Sequence, residues 1–99
     1  TGAQVAALIL RDSGIQHVND ARGIDGPACS IEAYPGQLTD HYDPRTRTLR
    51  LSEPVYNGRD LAALGVAAHE VGHAIQHARR YYPLVLRQSM YPLSSIGSN

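Results

Sequence analysis

Leu61-Ala-Ala-Leu-Gly-Val-Ala-Ala-His69-Glu70-Val-Gly-His73-Ala-Ile-Gln-His77-Ala-Arg-Arg80 is the stretch on which the reading of this chain turns. No Pro interrupts it before Pro83. Asn57-Gly-Arg-Asp60 opens it: Asn57 offers an acceptor for a free backbone N–H, and Asp60 suits the positive start of a helix. The pattern predicts one long helix running to about Arg80. Pro83 sets its limit, because the residue before a Pro is pushed out of helical geometry. Leu61, Ala62, Leu64, Val66 and Ala67 make the first half apolar enough to be read as buried.

Residues four apart on a helix are turned by about 40° and displaced by about 6 Å along the axis. His69 and His73 therefore leave one face and can aim a ring nitrogen at the same metal. Zinc accepts imidazole nitrogen, prefers four ligands, and keeps one position for water where it is catalytic. Bound water then ionises near neutrality. Glu70, on the adjoining flank, can take the water's proton and pass it to a leaving amine. Gly72 leaves room for another segment or a substrate to approach closely. A His-Glu-x-x-His string arises by chance in a chain this long roughly once in several hundred cases. Its position in mid-helix, after a strand, favours the metal reading over two incidental His.

A third protein ligand is not evident. His77 continues the four-residue series but lies about 12 Å along the axis from His69 on an unbroken helix. Ala74-Ile75-Gln76 offers no break, so His77 is read as packing or hydrogen-bonding its surroundings. Asp40, His41, Asp43 and Glu53 are other donors, and none has a spacing that singles it out.

Outward from the helix, Val5, Leu8 and Ile9 recur at helical spacing, so Thr1 to Asp12 reads as an amphipathic helix stopped by Ser13-Gly14. Ile15 to Ile24 has room for a short strand, and Gly23 to Pro27 reads as a turn. Ser30 to Tyr34 alternates as a strand does, and Pro35-Gly36 turns. Gln37 to Tyr42 suits an extended edge, and Asp43-Pro44-Arg45 turns again. Thr46 to Ser52, alternating Leu49 and Leu51 with Thr48 and Arg50, is the clearest strand. Leu84 to Met90 suits a short helix before Pro92.

The chain has 99 residues, enough for one domain, 1–99. A chain this small buries a modest core, so a metal or partner can help to hold it. Nine Arg balance nine Asp plus Glu, and the net charge is zero. That excludes a general nucleic-acid binder, which needs a basic surplus. Lys and Phe are absent, all aromatics are Tyr, and the bias suggests a GC-rich bacterial genome. Cys29 is the single cysteine, read as a buried inert thiol. No apolar run reaches the ~20 residues that span a bilayer, so this piece reads as soluble, though it can be a part of something larger.

Three segments together closely resemble the YugP-type neutral zinc metallopeptidases of bacterial membranes. They are Gly36-Gln-Leu-Thr-Asp-His-Tyr-Asp-Pro-Arg-Thr46, Leu49-Arg-Leu-Ser-Glu-Pro-Val-Tyr-Asn57, and Val66-Ala-Ala-His-Glu-Val-Gly-His-Ala-Ile-Gln-His-Ala78. The resemblance covers nearly the whole chain and is weakest from about Asp20 to Cys29. It implies an α+β fold of the small zincin type: a backing N-terminal helix, a small sheet and the long active-site helix. It implies Zn2+ as cofactor, His69 and His73 as metal ligands, and Glu70 as the catalytic carboxylate. It implies a membrane-integral full-length protein, of which this chain is the soluble catalytic portion. The third ligand in gluzincin-like relatives is a Glu on a later helix, expected beyond Asn99.

Arg79, Arg80, Tyr81, Tyr82, Arg87 and Tyr91 suit a membrane–water interface, or equally an ordinary solvated surface. The strand that follows Asp40-His-Tyr-Asp43 is of the kind that borders a zincin cleft and pairs with an extended peptide. Tyr42 or His41 can donate to a tetrahedral oxyanion. Asp40 and Asp43 can equally serve the turn. The leading expectation is a zinc-dependent metallopeptidase acting on peptides or proteins at a membrane. The alternatives are a zinc-binding module without turnover and an interaction domain with incidental His.

Overall fold

A computed structural model describes residues 1–37 and 39–82. Leu38 and the proposed Leu84–Met90 helix, with Arg87 and Tyr91, lie outside the described residues. The elements run α1 (Gly2–Asp12), β1 (Gln16–His17), β2 (Ala28–Tyr34), β3 (His41–Asp43), β4 (Thr48–Ser52), α2 (Glu53–Tyr56) and α3 (Leu61–Tyr81).

The fold is α+β with a small mixed sheet of order β1-β2-β4-β3. β1 runs parallel to β2, and β2 parallel to β4, with Ile31 opposite Leu49 and Ala33 opposite Leu51. β3 returns antiparallel on β4, His41 opposite Arg50 and Asp43 opposite Thr48, which leaves β3 at the sheet edge. α1 starts where expected because the Thr1 hydroxyl accepts from the Gln4 N–H at 3.2 Å. It packs on α3 through Ala6 and Leu10, one turn apart and both fully buried. Leu49 and Leu51 reach the same core from β4, joined by Ile15, Val55, Val71 and Ile75.

Two expectations need correction. Asn57 does not cap the long helix. It closes α2, a one-turn helix the pattern analysis passed over, and its Nδ2 donates back to the Glu53 carbonyl. Ser52-Glu53-Pro54 carried the missed signal, an N-cap residue type followed by Pro in the first turn. α3 begins at Leu61, and its N-cap Asp60 makes no side-chain capping bond. The first half of α3 is also buried only in part: Ala67 is fully covered, but Leu61 is 88% exposed and Val66 37%. Only the inward stripe Ala63, Ala67, Val71, Ala74 and Ile75 is covered. Helical period divides the residues into two faces, and only one of them meets α1 and the sheet.

Cys29 lies in the core at 1% exposure, and burial pushes its thiol pKa up to about 12. Since only the thiolate reacts, a thiol reagent at pH 8 is expected to leave the folded protein unmodified. One equivalent should react once denaturant is added. Rapid labelling of the native chain would contradict this placement.

Candidate active site

The outward stripe of α3 carries His69 and His73, both exposed, with half-buried Glu70 beside them. The two imidazoles meet edge to face, ring centres 4.9 Å apart and planes at 89°. Two imidazoles on one tetrahedral zinc have ring centres about 5 Å apart, given Zn–N of ~2.0–2.1 Å. The spacing of the ring centres is of that order. Among the described residues, no group of three or more His, Cys, Asp or Glu is placed to hold a metal ion.

Glu70 stands on the rim of two concavities. One, about 460 Å³, lies between α3 and the β3 edge and is walled by Tyr42, Glu70, His73 and His77. The other, about 590 Å³, runs toward the start of α3 past Asp40, Leu61, Val66 and His69. Both open beside the outward face of α3 and share Glu70 as a lining residue, and together they are called the groove. Its apolar wall is formed by the residues whose burial the sequence pattern overestimated. Gly72 also faces outward, and a Cβ there would touch none of the described atoms. The close approach expected at Gly72 is therefore not made by any described segment.

The sheet holds β3 in position beside the helix by charge. Arg50 on β4 donates to Asp43 at 2.8 Å and to Glu32 at 2.9 Å. The Arg50 hydrogen bond keeps the Asp43 carboxyl well below the usual carboxylate range. Asp43 also accepts from the Arg45 N–H at 3.0 Å, which stabilises the turn after β3. Asp40 accepts from the Ser52 N–H at 2.8 Å and from its hydroxyl at 3.0 Å, tying the entry of β3 to the end of β4. Asp43 thus serves the turn, in keeping with the turn-stabilising reading, whereas Asp40 ties two strands together.

His77 does not converge with His69 and His73 in an unbroken α3. Its Nδ1 lies 2.9 Å from the Tyr42 hydroxyl, 35 residues away in sequence. Burial, then Arg47 and Arg80, lowers the His77 pKa and so favours the neutral ring. Burial raises that of Tyr42, which keeps its proton. No spacing rule links positions 42 and 77. Only the docking of β3 against α3 makes the pair.

A family model described as "Putative neutral zinc metallopeptidase" matches residues 1–99. The chain is also 46% identical over 98 residues to "Putative membrane protease YugP" of Bacillus subtilis (strain 168). That alignment takes in 99% of this chain and 39% of the relative, so the chain spans about two fifths of the relative's length. No solved structure matches the chain. No helix among the described residues is long and apolar enough to cross a membrane. With a family match along its whole length and this degree of identity, the chain belongs to the neutral zinc metallopeptidase family.

Proposed function

We propose that these 99 residues form the catalytic domain of a zinc-dependent peptidase, carried in a longer, membrane-attached protein. The observation that carries the reading is the juxtaposition on α3 of two imidazoles, 4.9 Å apart, with a carboxylate on the groove wall. His69 and His73 hold the zinc through ring nitrogens. The third protein ligand comes from outside the described residues, a Glu of a later helix in the longer polypeptide. When bound, zinc acts as a Lewis acid that eases the ionisation of water and polarises a carbonyl.

The chain's own residues do the remaining work. An extended peptide lies in the groove and pairs its backbone with β3, whose outer edge is unpaired among the described residues; β4, the strand expected to do this, is flanked by β2 and β3 and has no edge to offer. Glu70 takes a proton from the attacking water and delivers it to the departing amine. The apolar wall of Leu61 and Val66 takes up substrate side chains on one side of the cleaved bond. On this reading the α+β domain is a small zincin, which the β-sheet beside a long helix supports.

Zinc dependence tests the reading. Full-length protein purified without chelator is expected to carry zinc and to cleave an unfolded protein such as casein. Stripping the metal should abolish cleavage, and adding zinc should restore it. His69→Ala and His73→Ala should each lose the metal and the activity together. Cleavage that survives metal removal unchanged would refute the proposal. A zinc-binding module without turnover is favoured by one observation, the absence of a three-donor group among the described residues. Zinc binding without cleavage by the full-length protein would select it.

A further inference from the structure

We propose that Tyr42 is the hydrogen-bond donor to the carbonyl oxygen of the bond under attack, and that His77 is the residue that positions it. The proposal rests on the peptidase reading above and assigns two of its roles to residues of this chain.

The sequence leaves two donor candidates on β3, and the hydrogen bonds choose between them. His41 is committed. Its Nδ1 lies 2.7 Å from the Thr39 carbonyl, which can only accept, so Nδ1 carries the proton. Its Nε2 is left as an acceptor, and the Arg50 Nη1 donor stands 3.5 Å from it. With Nδ1 engaged by Thr39 and Nε2 facing Arg50, His41 has no N–H to offer a substrate. Tyr42 is different. Its hydroxyl can accept one bond and donate another. Among the described residues its one hydrogen-bond partner is His77 Nδ1, at 2.9 Å. If Nδ1 donates to the phenol oxygen, the Tyr42 O–H remains free to turn into the groove. Glu70 and His73 line that same concavity. Tyr42 and His77 are thus on the walls of the space in which the carbonyl must sit.

The positioning is mechanical as well as polar. The His77 ring leans on Tyr42, centres 5.6 Å apart, and meets Tyr81 edge to face at 5.1 Å. Tyr42 is half-buried between the sheet edge and the helix. Its burial keeps the phenol protonated, which a donor needs. The ring contacts limit the freedom of both side chains before substrate arrives, and preorganised donors are the effective ones.

The test uses full-length, zinc-loaded protein, four variants of the pair, and Glu70→Gln as a reference. Tyr42→Phe keeps the ring and removes only the oxygen. It is expected to lower kcat by about 10²–10³-fold, the usual cost of one lost oxyanion donor, with KM and zinc content unchanged. His77→Leu should lose a comparable factor, and the double variant Tyr42→Phe with His77→Leu should be no worse than Tyr42→Phe alone. His77→Asn, whose amide N–H stands near the place of Nδ1–H, should recover most of the rate. A phosphonate peptide, which mimics the tetrahedral carbon, should lose affinity in the same order. In unmutated protein labelled with nitrogen-15 histidine, NMR should find the His77 proton on Nδ1. Three results would overturn the proposal: a wild-type kcat in Tyr42→Phe, loss of zinc in His77→Leu, or a His77 proton on Nε2. The last would mean that Tyr42 gives its own proton to His77. If the wild type cleaves nothing, the peptidase reading fails and this inference with it. If it cleaves, Glu70→Gln does not, and Tyr42→Phe is normal, this inference alone fails.

Discussion

Glu70→Gln is expected to lower kcat by about 10²–10⁴-fold, the range attributed to a positioned general acid–base group, while zinc content stays at the wild-type level. The substitution keeps the size and shape of the side chain, so the half-buried flank of α3 is undisturbed. It removes only the ability to take a proton and return it. Glu70 is not one of the paired imidazole donors, which is why metal and activity should separate at this position and at neither His. Initial rates on casein, with zinc per mole measured on the same sample, check both halves. A variant that cleaves like the wild type would show that Glu70 is not the base. A variant that loses its metal would instead make Glu70 a ligand.

The second large effect is on stability. Leu51→Ala is expected to cost about 2–5 kcal/mol, because it removes a wholly buried side chain and leaves a cavity. That is a large part of the roughly 5–15 kcal/mol that holds a small domain together. In thermal unfolding of the 99-residue chain it corresponds to a fall of roughly 10–30 °C. Leu61→Ala is the matched control. Leu61 is 88% exposed, so its truncation should change stability by no more than about 0.5 kcal/mol. Sequence patterning treats the two leucines alike, and only the assembled fold separates them. Equal destabilisation by the two substitutions would mean that the outward face of α3 is covered in this chain.

Much of the local structure was legible from residue chemistry. Val5, Leu8 and Ile9 at helical spacing announce α1, Ser13-Gly14 its end, and the alternation around Leu49 and Leu51 identifies β4. The long helix follows from the Pro-free run that ends before Pro83. The candidate site on it was legible too, because the spacing of His69, Glu70 and His73 is a property of one helix and needs no tertiary contact. α2 was readable in principle from Ser52-Glu53-Pro54, and it was missed because Asn57 is an equally good capping residue type.

What the sequence by itself determined, then, is the set of elements apart from α2 and the local spacing of His69, Glu70 and His73, both products of short-range geometry. Two things were decided only by tertiary structure. One is which stripe of α3 faces out: helical period sorts residues into faces but is blind to where the sheet and α1 will sit, so Leu61 and Val66 read as core. The other is the contact of Tyr42 with His77 across 35 residues. It exists because Arg50 and Asp43 fasten β3 to the sheet edge that α3 lies against, a meeting of segments that no repeat or spacing in the chain encodes.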